Sequence, residues 1–103
     1  MRLLNEVVKI AYETTRYVKA PDIQTLVNSL ADVYEFAKGY PKVTVTKRGD
    51  TYIIEAKWSS DWDYVEISRS APGECRVYIK TNTKLSVSLN FLQKALDRCG
   101  GKY

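Results

Sequence analysis

The segment 42-KVTVTKRGDTYIIEAKW-58 decides the fold. It contains two runs of alternating apolar and polar residues on either side of Gly49 and Asp50, which is the pattern of a β-hairpin with a two-residue loop. A turn at this position pairs Val45 with Ile54, and the same register puts the apolar residues of both strands on one face. The inner face then comprises Val43, Val45, Tyr52, Ile54, Ala56 and Trp58. The outer face comprises Thr44, Thr46, Arg48, Ile53, Glu55 and Lys57.

A second hairpin is predicted directly after the first. Residues 63–69 and 74–81 alternate in the same way, and the turn sequence Ser-Ala-Pro-Gly at 70–73 lies between them. The two hairpins together predict four antiparallel strands. The inner face of the second hairpin comprises Val65, Ile67, Val77 and Ile79. Its outer face comprises Trp62, Tyr64, Glu66, Ser68, Arg76, Tyr78 and Lys80.

The C-terminal part of the chain predicts a helix. Residues 91–99 have helical apolar spacing, Asn90 and Gln93 are spaced like a capping box, and Gly100-Gly101 marks the end. Residues 85–89 alternate like a fifth strand but are also compatible with the beginning of this helix. Both interpretations of that short segment stay open.

Residues 2–19 predict a first helix, because their apolar positions recur every three to four residues. These positions are Leu4, Val8, Ala11, Thr15 and Val18. Pro21 breaks this helix after Ala20 and suits the first turn of a second helix. The second helix runs to about Lys38, where Gly39 ends it. The short joint makes the two an antiparallel helical hairpin.

These elements define an α+β fold with an N-terminal helical hairpin, a four-stranded antiparallel sheet and a C-terminal helix. The sheet has five strands if residues 85–89 form one. The chain of 103 residues has the size of one domain, so we expect residues 1–103 to form a single domain without a cleft between two lobes. Helices packed on one face of the sheet leave its other face partly open.

The composition excludes several kinds of catalytic site. The chain has 16 Lys and Arg, 12 Asp and Glu and no histidine, which rules out Ser-His-Asp and Cys-His nucleophile schemes and the commonest zinc sites. Cys75 and Cys99 are too few for a zinc site and are expected to be buried thiols or, alternatively, a disulfide. We therefore expect a non-catalytic protein without cofactor or metal.

The open face of the sheet carries the candidate binding site. Its aromatic residues Trp62, Tyr64 and Tyr78 are interleaved with cations. The cations are Arg48, Lys57, Arg76 and Lys80. Because nucleic-acid bases stack on aromatic rings and cations contact phosphates, this pattern predicts binding of single-stranded DNA or RNA. Tyr52 and Trp58 are further stacking candidates only if the ligand enters a cleft.

Three alternatives stay open for this face. Tyrosine has high strand propensity, so Tyr64 and Tyr78 also suit a structural cross-strand pair, buried if the last helix covers the face. The face equally suits a protein-interaction or assembly subunit, with a homodimer or another protein as partner. Finally, Glu55 and Lys57 after Asp50 resemble the carboxylate and E-x-K pattern of metal-dependent nucleases, at an unusual spacing.

Most of the net charge of +4 is concentrated near the C-terminus. Residues 82–103 carry four cations and one acid, Asp97, for a net charge of +3. The cations are Lys84, Lys94, Arg98 and Lys102. In a nucleic-acid complex the sheet would supply the stacking, and the C-terminal region would supply much of the electrostatic attraction.

No segment approaches the ~18–20 consecutive apolar residues of a membrane span. Charges at Glu6, Lys9 and Glu13 interrupt the N-terminal apolar residues, and no small-residue cleavage site follows them. We therefore expect an intracellular, cytoplasmic protein without a membrane partner.

The order of the elements resembles that of the ThermoDBP-like proteins of hyperthermophilic archaea. The resemblance covers roughly residues 2–99. It rests on the helical hairpin, the C-terminal helix and the aromatic strands around Tyr52, Trp58, Trp62, Tyr64 and Tyr78. It implies an archaeal, thermophilic protein that binds single-stranded DNA or RNA. The binding site implied is a cleft between sheet and helices, lined by aromatic and apolar residues and flanked by basic groups.

Overall fold

The computed structural model describes residues 10–103, whose elements follow the order β-α-β-β-β-β-α. They are β1 (Tyr12–Lys19), α1 (Ile23–Glu35), β2 (Lys42–Arg48), β3 (Thr51–Lys57), β4 (Trp62–Ala71), β5 (Glu74–Thr81) and α2 (Leu85–Cys99). The strands form one antiparallel sheet in the order β1-β5-β4-β3-β2. The predicted α+β class with an antiparallel sheet and a C-terminal helix is confirmed.

The β2–β3 hairpin has the predicted register. Val45 lies opposite Ile54 and Val43 opposite Ala56. Gly49 has a φ of 60°, a left-handed conformation that two-residue hairpin loops require and that a residue without a Cβ adopts at little cost. The alternating pattern and the loop residues therefore specify both the pairing and the position of the turn.

The β4–β5 hairpin also has the predicted inner face, with Val65 opposite Ile79 and Ile67 opposite Val77. Its turn is shorter than the four residues expected. Strand β4 continues to Ala71 through a shift of register, so that only two residues separate it from β5. The bulge adds one residue to β4 without turning its core residues outward.

The predicted N-terminal helical hairpin is wrong for the part of the chain that the structure describes. Residues 12–19 form strand β1, which pairs with β5 along its whole length. The β-branched side chains of Thr14, Thr15 and Val18 favour a strand, and this pairing buries Val18 completely. Residues 2–9 of the predicted helix lie outside the described residues.

Helix α1 lies where the second helix was predicted. Asp22 is its N-cap, and the carboxylate accepts hydrogen bonds from the Gln24 backbone N–H at 3.3 Å and from the Thr25 hydroxyl at 2.6 Å. The bond from Thr25 lowers the pKa of Asp22. The helix ends at Glu35, slightly before the predicted end at Lys38.

Helix α2 includes residues 85–89, so the fifth strand of the sheet is β1 and not this segment. The capping box predicted at Asn90 and Gln93 is wrong, because both residues lie inside the helix. Gly100 ends the helix with a φ of 74°, as predicted.

Both helices pack on the same face of the sheet and form one hydrophobic core with it. The largest fully buried side chains of this core are Leu26, Leu30, Tyr34, Ile54, Ile67, Ile79, Leu92 and Leu96. Helix α2 therefore does not cover Tyr64 and Tyr78, which lie on the opposite, open face. The alternative in which the last helix buries these two tyrosines is wrong.

Two positions of the β2–β3 hairpin differ from their predicted burial. Val45 faces the helices but is 46% exposed, because β2 is an edge strand. Ile53 faces the open side but is only 5% exposed, because Thr46 and Glu66 lie opposite it on the two neighbouring strands. Position in the sheet, as well as the direction of the side chain, thus decides exposure.

Among residues 10–103, no helix is both long and apolar enough to cross a membrane. Helix α1 has 13 residues and α2 has 15, whereas a span needs about 20.

Candidate functional site

The open face of the sheet brings the predicted aromatic residues together. Trp62, Tyr64 and Tyr78 alternate with core residues on the adjacent strands β4 and β5, and each is half-buried. The rings of Tyr64 and Tyr78 meet edge to face, with centroids 6.4 Å apart and an interplanar angle of 74°. The two tyrosine rings therefore pack against each other on the open face.

These three side chains line a depression of about 480 Å³, called the open-face depression below. Its other lining residues are Glu55, Lys57, Asp63, Glu66 and Lys80. Lys57 lies opposite Trp62, and Lys80 lies opposite Tyr64 in the strand register. Two of the four predicted cations thus flank the aromatic residues.

The other two predicted cations lie on the same face but outside the depression. Arg76 is two residues before Tyr78 on β5, with its guanidinium carbon 5.9 Å from the centroid of that ring. Arg48 is the last residue of the edge strand β2. The predicted cations are therefore spread across the face instead of forming one cluster.

The tyrosine hydroxyls on this face are bound to carboxylates. Tyr78 donates to Glu13 on β1 and Tyr64 donates to Glu66, both at 2.6 Å. The bond to Glu13 raises the pKa of Tyr78 to about 12, and the bond to Glu66 raises the pKa of Tyr64. Both tyrosines are neutral at ordinary pH, so their rings are the parts left for contact with a ligand.

Carboxylates offset the positive charge of the open-face depression. Lys57 and Lys80 are balanced by Glu55 and Glu66, so the depression itself carries no net positive charge on these four side chains. The sequence pattern places Glu55 and Glu66 on this face. It misses Glu13, because that residue was assigned to a helix; the alternation within residues 12–19 is the signal that could have found it.

Tyr52 and Trp58 face the helices and do not join the open-face depression. The Tyr52 hydroxyl donates to the Gln24 side-chain oxygen at 2.9 Å, and the Lys47 ammonium lies 5.2 Å from the Tyr52 ring centroid. Trp58 donates its Nε1–H to the Lys38 carbonyl oxygen at 2.9 Å. Tyr52 lines a small pocket of about 360 Å³, whereas Trp58 lines a larger groove.

That groove, called the helix groove below, lies between the C-terminal end of α1, the β3–β4 loop and α2, and has a volume of about 590 Å³. Its apolar lining residues are Val33, Phe36, Ala37, Trp58, Val87 and Phe91. Its charged lining residues are Lys38, Asp61, Asp63, Lys94 and Arg98. A cleft between sheet and helices, with aromatic, apolar and basic lining, was expected only from the resemblance, and Trp58 was a candidate for it. The strand and helix patterns did not locate the other walls of this groove, because they come from segments distant in the chain.

Asp63 is the buried carboxylate of the helix groove, at 4% exposure. Its Oδ2 accepts hydrogen bonds from the Tyr34 hydroxyl at 2.6 Å and from the Ser88 hydroxyl at 2.8 Å. Burial together with this carboxylate raises the pKa of Tyr34 well above its ordinary value. The negative charge of Asp63 is thus stabilised by two hydroxyl groups, one from each helix.

The nuclease-like pattern gains no support from the described residues. Glu55 faces the open side of β3, and Asp50 lies in the hairpin loop at the other end of that strand. Within residues 10–103, no three Cys, Asp or Glu side chains are grouped so that they could hold a metal ion.

The thiols of Cys75 and Cys99 are both free, and burial raises the pKa of Cys75.

No protein-family model matches this chain, and no curated protein matches its sequence.

Proposed function

We propose that this protein binds single-stranded DNA or RNA on the open face of its sheet, without catalysis. The observation that carries the proposal is the open-face depression. It combines the rings of Trp62, Tyr64 and Tyr78 with the ammonium groups of Lys57 and Lys80, on a face that neither helix covers.

Stacking and phosphate contact are the two interactions that this arrangement offers. A base stacked on an aromatic ring contributes about 1–3 kcal/mol, and each cation near a phosphate adds a salt-dependent attraction. A single strand can present unstacked bases to an exposed sheet, whereas a duplex keeps its bases paired. Since two cations and three acids, one of them the buried Asp63, line the depression, stacking is expected to contribute more than charge.

Protein binding is the second candidate function of the open face. The specific observation in its favour is the presence of carboxylates beside the aromatic rings: Glu55 and Glu66 in the depression and Glu13 at its margin. Phosphates are repelled by these groups, while a partner protein can satisfy them with Lys or Arg. A second copy of the chain is one such partner.

The resemblance to ThermoDBP-like proteins stays a prediction, as do an archaeal source, thermophily and a cytoplasmic location. The element order that carried the resemblance is corrected for residues 12–19, which form a strand. The proposed function therefore depends on the side chains of the open face and not on the resemblance.

The first test measures binding of fluorescently labelled oligonucleotides by anisotropy, single-stranded and duplex, DNA and RNA, at two salt concentrations. Trp62→Ala and Tyr78→Ala should each weaken single-strand binding by about 1–3 kcal/mol, because each removes a stacking surface. Circular dichroism should show an unchanged fold, since both side chains lie outside the core.

Tyr17→Ala is the matched control. Tyr17 is a 56% exposed tyrosine on the same face, on the edge strand β1 and outside the depression. Unchanged affinity in both depression variants, or an equal loss in the Tyr17 variant, would reject the site. Binding that persists at high salt and requires a protein partner, or a dimer detected by sedimentation, would support the second candidate instead.

A further inference from the structure

Helix α2 contributes an apolar half and a cationic half to the helix groove. Val87, Phe91, Lys94 and Arg98 follow the helical spacing i, i+4, i+7 and i+11, and therefore form one stripe along α2. The stripe is about 16 Å long at a rise of about 1.5 Å per residue. A molecule that lies along it meets apolar side chains first and cations afterwards.

The apolar half of the helix groove includes two exposed hydrophobic side chains. Phe36 at the end of α1 is 75% exposed, and Val87 on α2 is 45% exposed. Both line the same groove, whose floor includes the buried Val33 and Ala37. Exposed apolar side chains that line one groove are typical of a surface that binds a partner.

The charge of the helix groove indicates the chemistry of its occupant. Lys38, Lys94 and Arg98 are exposed, whereas the negative charge of Asp63 is buried and bound to two hydroxyl groups. Asp61 is the one exposed acid among the groove residues. The exposed charges therefore favour an anionic ligand.

Packing within the helix groove favours a peptide over a nucleic acid. Phe91 and Trp58 both pack edge-on against the buried Tyr34, with centroid distances of 4.9 and 6.2 Å. The apolar lining of the groove also includes the exposed ring of Phe36, but half of it is aliphatic, namely Val33, Ala37 and Val87. The apolar lining of the open-face depression, in contrast, is entirely aromatic. An aliphatic side chain accepts Leu or Ile better than it accepts a stacked base.

We propose that the helix groove docks a short amphipathic helix of a partner protein, with apolar residues against Phe36, Val87 and Phe91 and carboxylates against Lys94 and Arg98. In helix-in-groove recognition the bound helix presents its apolar anchors on one face, at i, i+3, i+4 and i+7, and acidic residues further along that face would meet Lys94 and Arg98. This proposal does not depend on nucleic-acid binding, because the groove and the open-face depression lie on opposite faces of the sheet.

The test uses the single tryptophan that lies in the groove. The chain has two tryptophans, so Trp62→Phe leaves Trp58 as the only one. The probe is a synthetic helix-forming peptide of about 12 residues, which is long enough to cover the stripe. Along one face of this peptide helix, Leu occupies one half of the length and Glu occupies the other half. Its reversed sequence is tested in parallel, so that either orientation is covered.

Saturable blue-shifted Trp58 emission is expected with one of these two peptides. Lys94→Glu combined with Arg98→Glu should weaken binding by about tenfold, because two attractive ion pairs become repulsive. A peptide with Lys in place of Glu should bind this reversed-charge variant better than the unchanged protein. Lys102→Glu, an exposed C-terminal charge outside the groove, is the matched control and should have little effect.

Three results would overturn the proposal. They are the absence of a Trp58 response to both peptides, equal binding of a scrambled peptide in which Leu and Glu share no face, and insensitivity to the double charge reversal. An oligonucleotide that shifts Trp58 emission and competes with the peptide would assign the groove to nucleic acid instead.

Discussion

Tyr78 shows how one hydrogen bond across the sheet sets the chemistry of a candidate ligand contact. Its hydroxyl donates to the Glu13 carboxylate on β1 at 2.6 Å, and this bond raises the pKa of Tyr78 to about 12. The bond also orients the ring that is proposed to stack on a base. One oxygen of the Glu13 carboxylate, Oε1, is thus bound to Tyr78 at the margin of the candidate site.

The stability contributed by this bond should depend on pH in the alkaline range. The pKa of Tyr78 is raised from 10.0 in the folded state, so below pH 10 the contribution is fully present. Between pH 10 and about 12 the unfolded state loses the proton first, and the contribution is lost. Glu13→Gln should lower the pKa of Tyr78 towards its ordinary value, which residue-specific ¹³C NMR titration measures.

Glu74→Gln is the control for this titration. Glu74 lies on the same strand and face as Tyr78, but its carboxylate accepts a hydrogen bond from Ser70 and not from Tyr78. It should leave the titration of Tyr78 unchanged. A Tyr78 signal that titrates identically in the unchanged protein and in Glu13→Gln would show that the hydrogen bond is absent in solution.

Gly39, in the segment that follows α1, lies in close contact with the Trp58 side chain of the β3–β4 loop. Gly39 has a φ of 89°, and a Cβ added there would lie 2.9 Å from Trp58 Cδ1. Gly49 in the β2–β3 loop also has a positive φ, at 60°, but its Cβ would meet nothing within 4 Å. Both glycines therefore adopt a left-handed backbone conformation, but only Gly39 lacks room for a Cβ.

Gly39→Ala should destabilise the protein more than Gly49→Ala. The left-handed backbone costs about 1–2 kcal/mol in both variants, and displacement of Trp58 should add about 1–3 kcal/mol in Gly39→Ala alone. Urea unfolding of both variants measures the difference, with Gly49→Ala as the control. Equal losses of stability would mean that the Trp58 side chain moves aside freely.

The two hairpins were predictable because their information is local. The alternation of residues 42–58 and the Gly49 loop specify register and faces together, since a shift of one residue would turn every apolar side chain outward. Strand β1 was not predictable in this way. Its partner β5 lies about 60 residues later in the chain, and residues 12–19 also match a helical spacing.

The beginning of α2 could not be predicted for a related reason. Leu85, Leu89 and Leu92 share one side of the helix and pack towards the core, but residues 85–89 also alternate like a strand. A short apolar run of this kind does not distinguish the two structures. The choice is made by packing against α1 and the sheet, which the sequence pattern does not contain.

Only part of the candidate site could be predicted, for the same reason. The positions of Trp62, Tyr64 and Tyr78 on the open face follow from strand alternation, and the structure brings them together. Glu13 and the helix groove could not be found from the pattern, because each depends on contacts between distant elements. Local periodicity therefore predicts which face a residue occupies, while tertiary contacts decide what lies beside it.

At the scale of the whole molecule, the two candidate surfaces lie on opposite faces of the same end of the sheet. Trp62 lines the open-face depression and Trp58 lines the helix groove, on either side of the β3–β4 loop. Asp63 on β4 belongs to the lining of both, and its carboxylate is bound to Tyr34 and Ser88 on the helix side.

The two helices and the sheet are joined at a single carboxylate oxygen. Asp63 on β4 accepts hydrogen bonds from Tyr34 on α1 and Ser88 on α2 at the same Oδ2. Burying a charge costs free energy unless the charge is hydrogen-bonded, and here both hydroxyl groups stabilise the same Asp63 carboxylate. This cluster makes the position of each helix depend on the position of the other.

Tyr34→Phe and Ser88→Ala should each lower the free energy of unfolding by about 1–3 kcal/mol, since each leaves the Asp63 carboxylate with one donor fewer. The double variant should lose more than the sum, by at least about 0.5 kcal/mol, because it leaves Oδ2 without either hydroxyl. Chemical denaturation of the four proteins of this cycle gives the coupling directly. Ser86→Ala, at an exposed position on the same helix, is the control and should change stability little. Additive losses would show that the two helices are held on the sheet independently, by the apolar core alone.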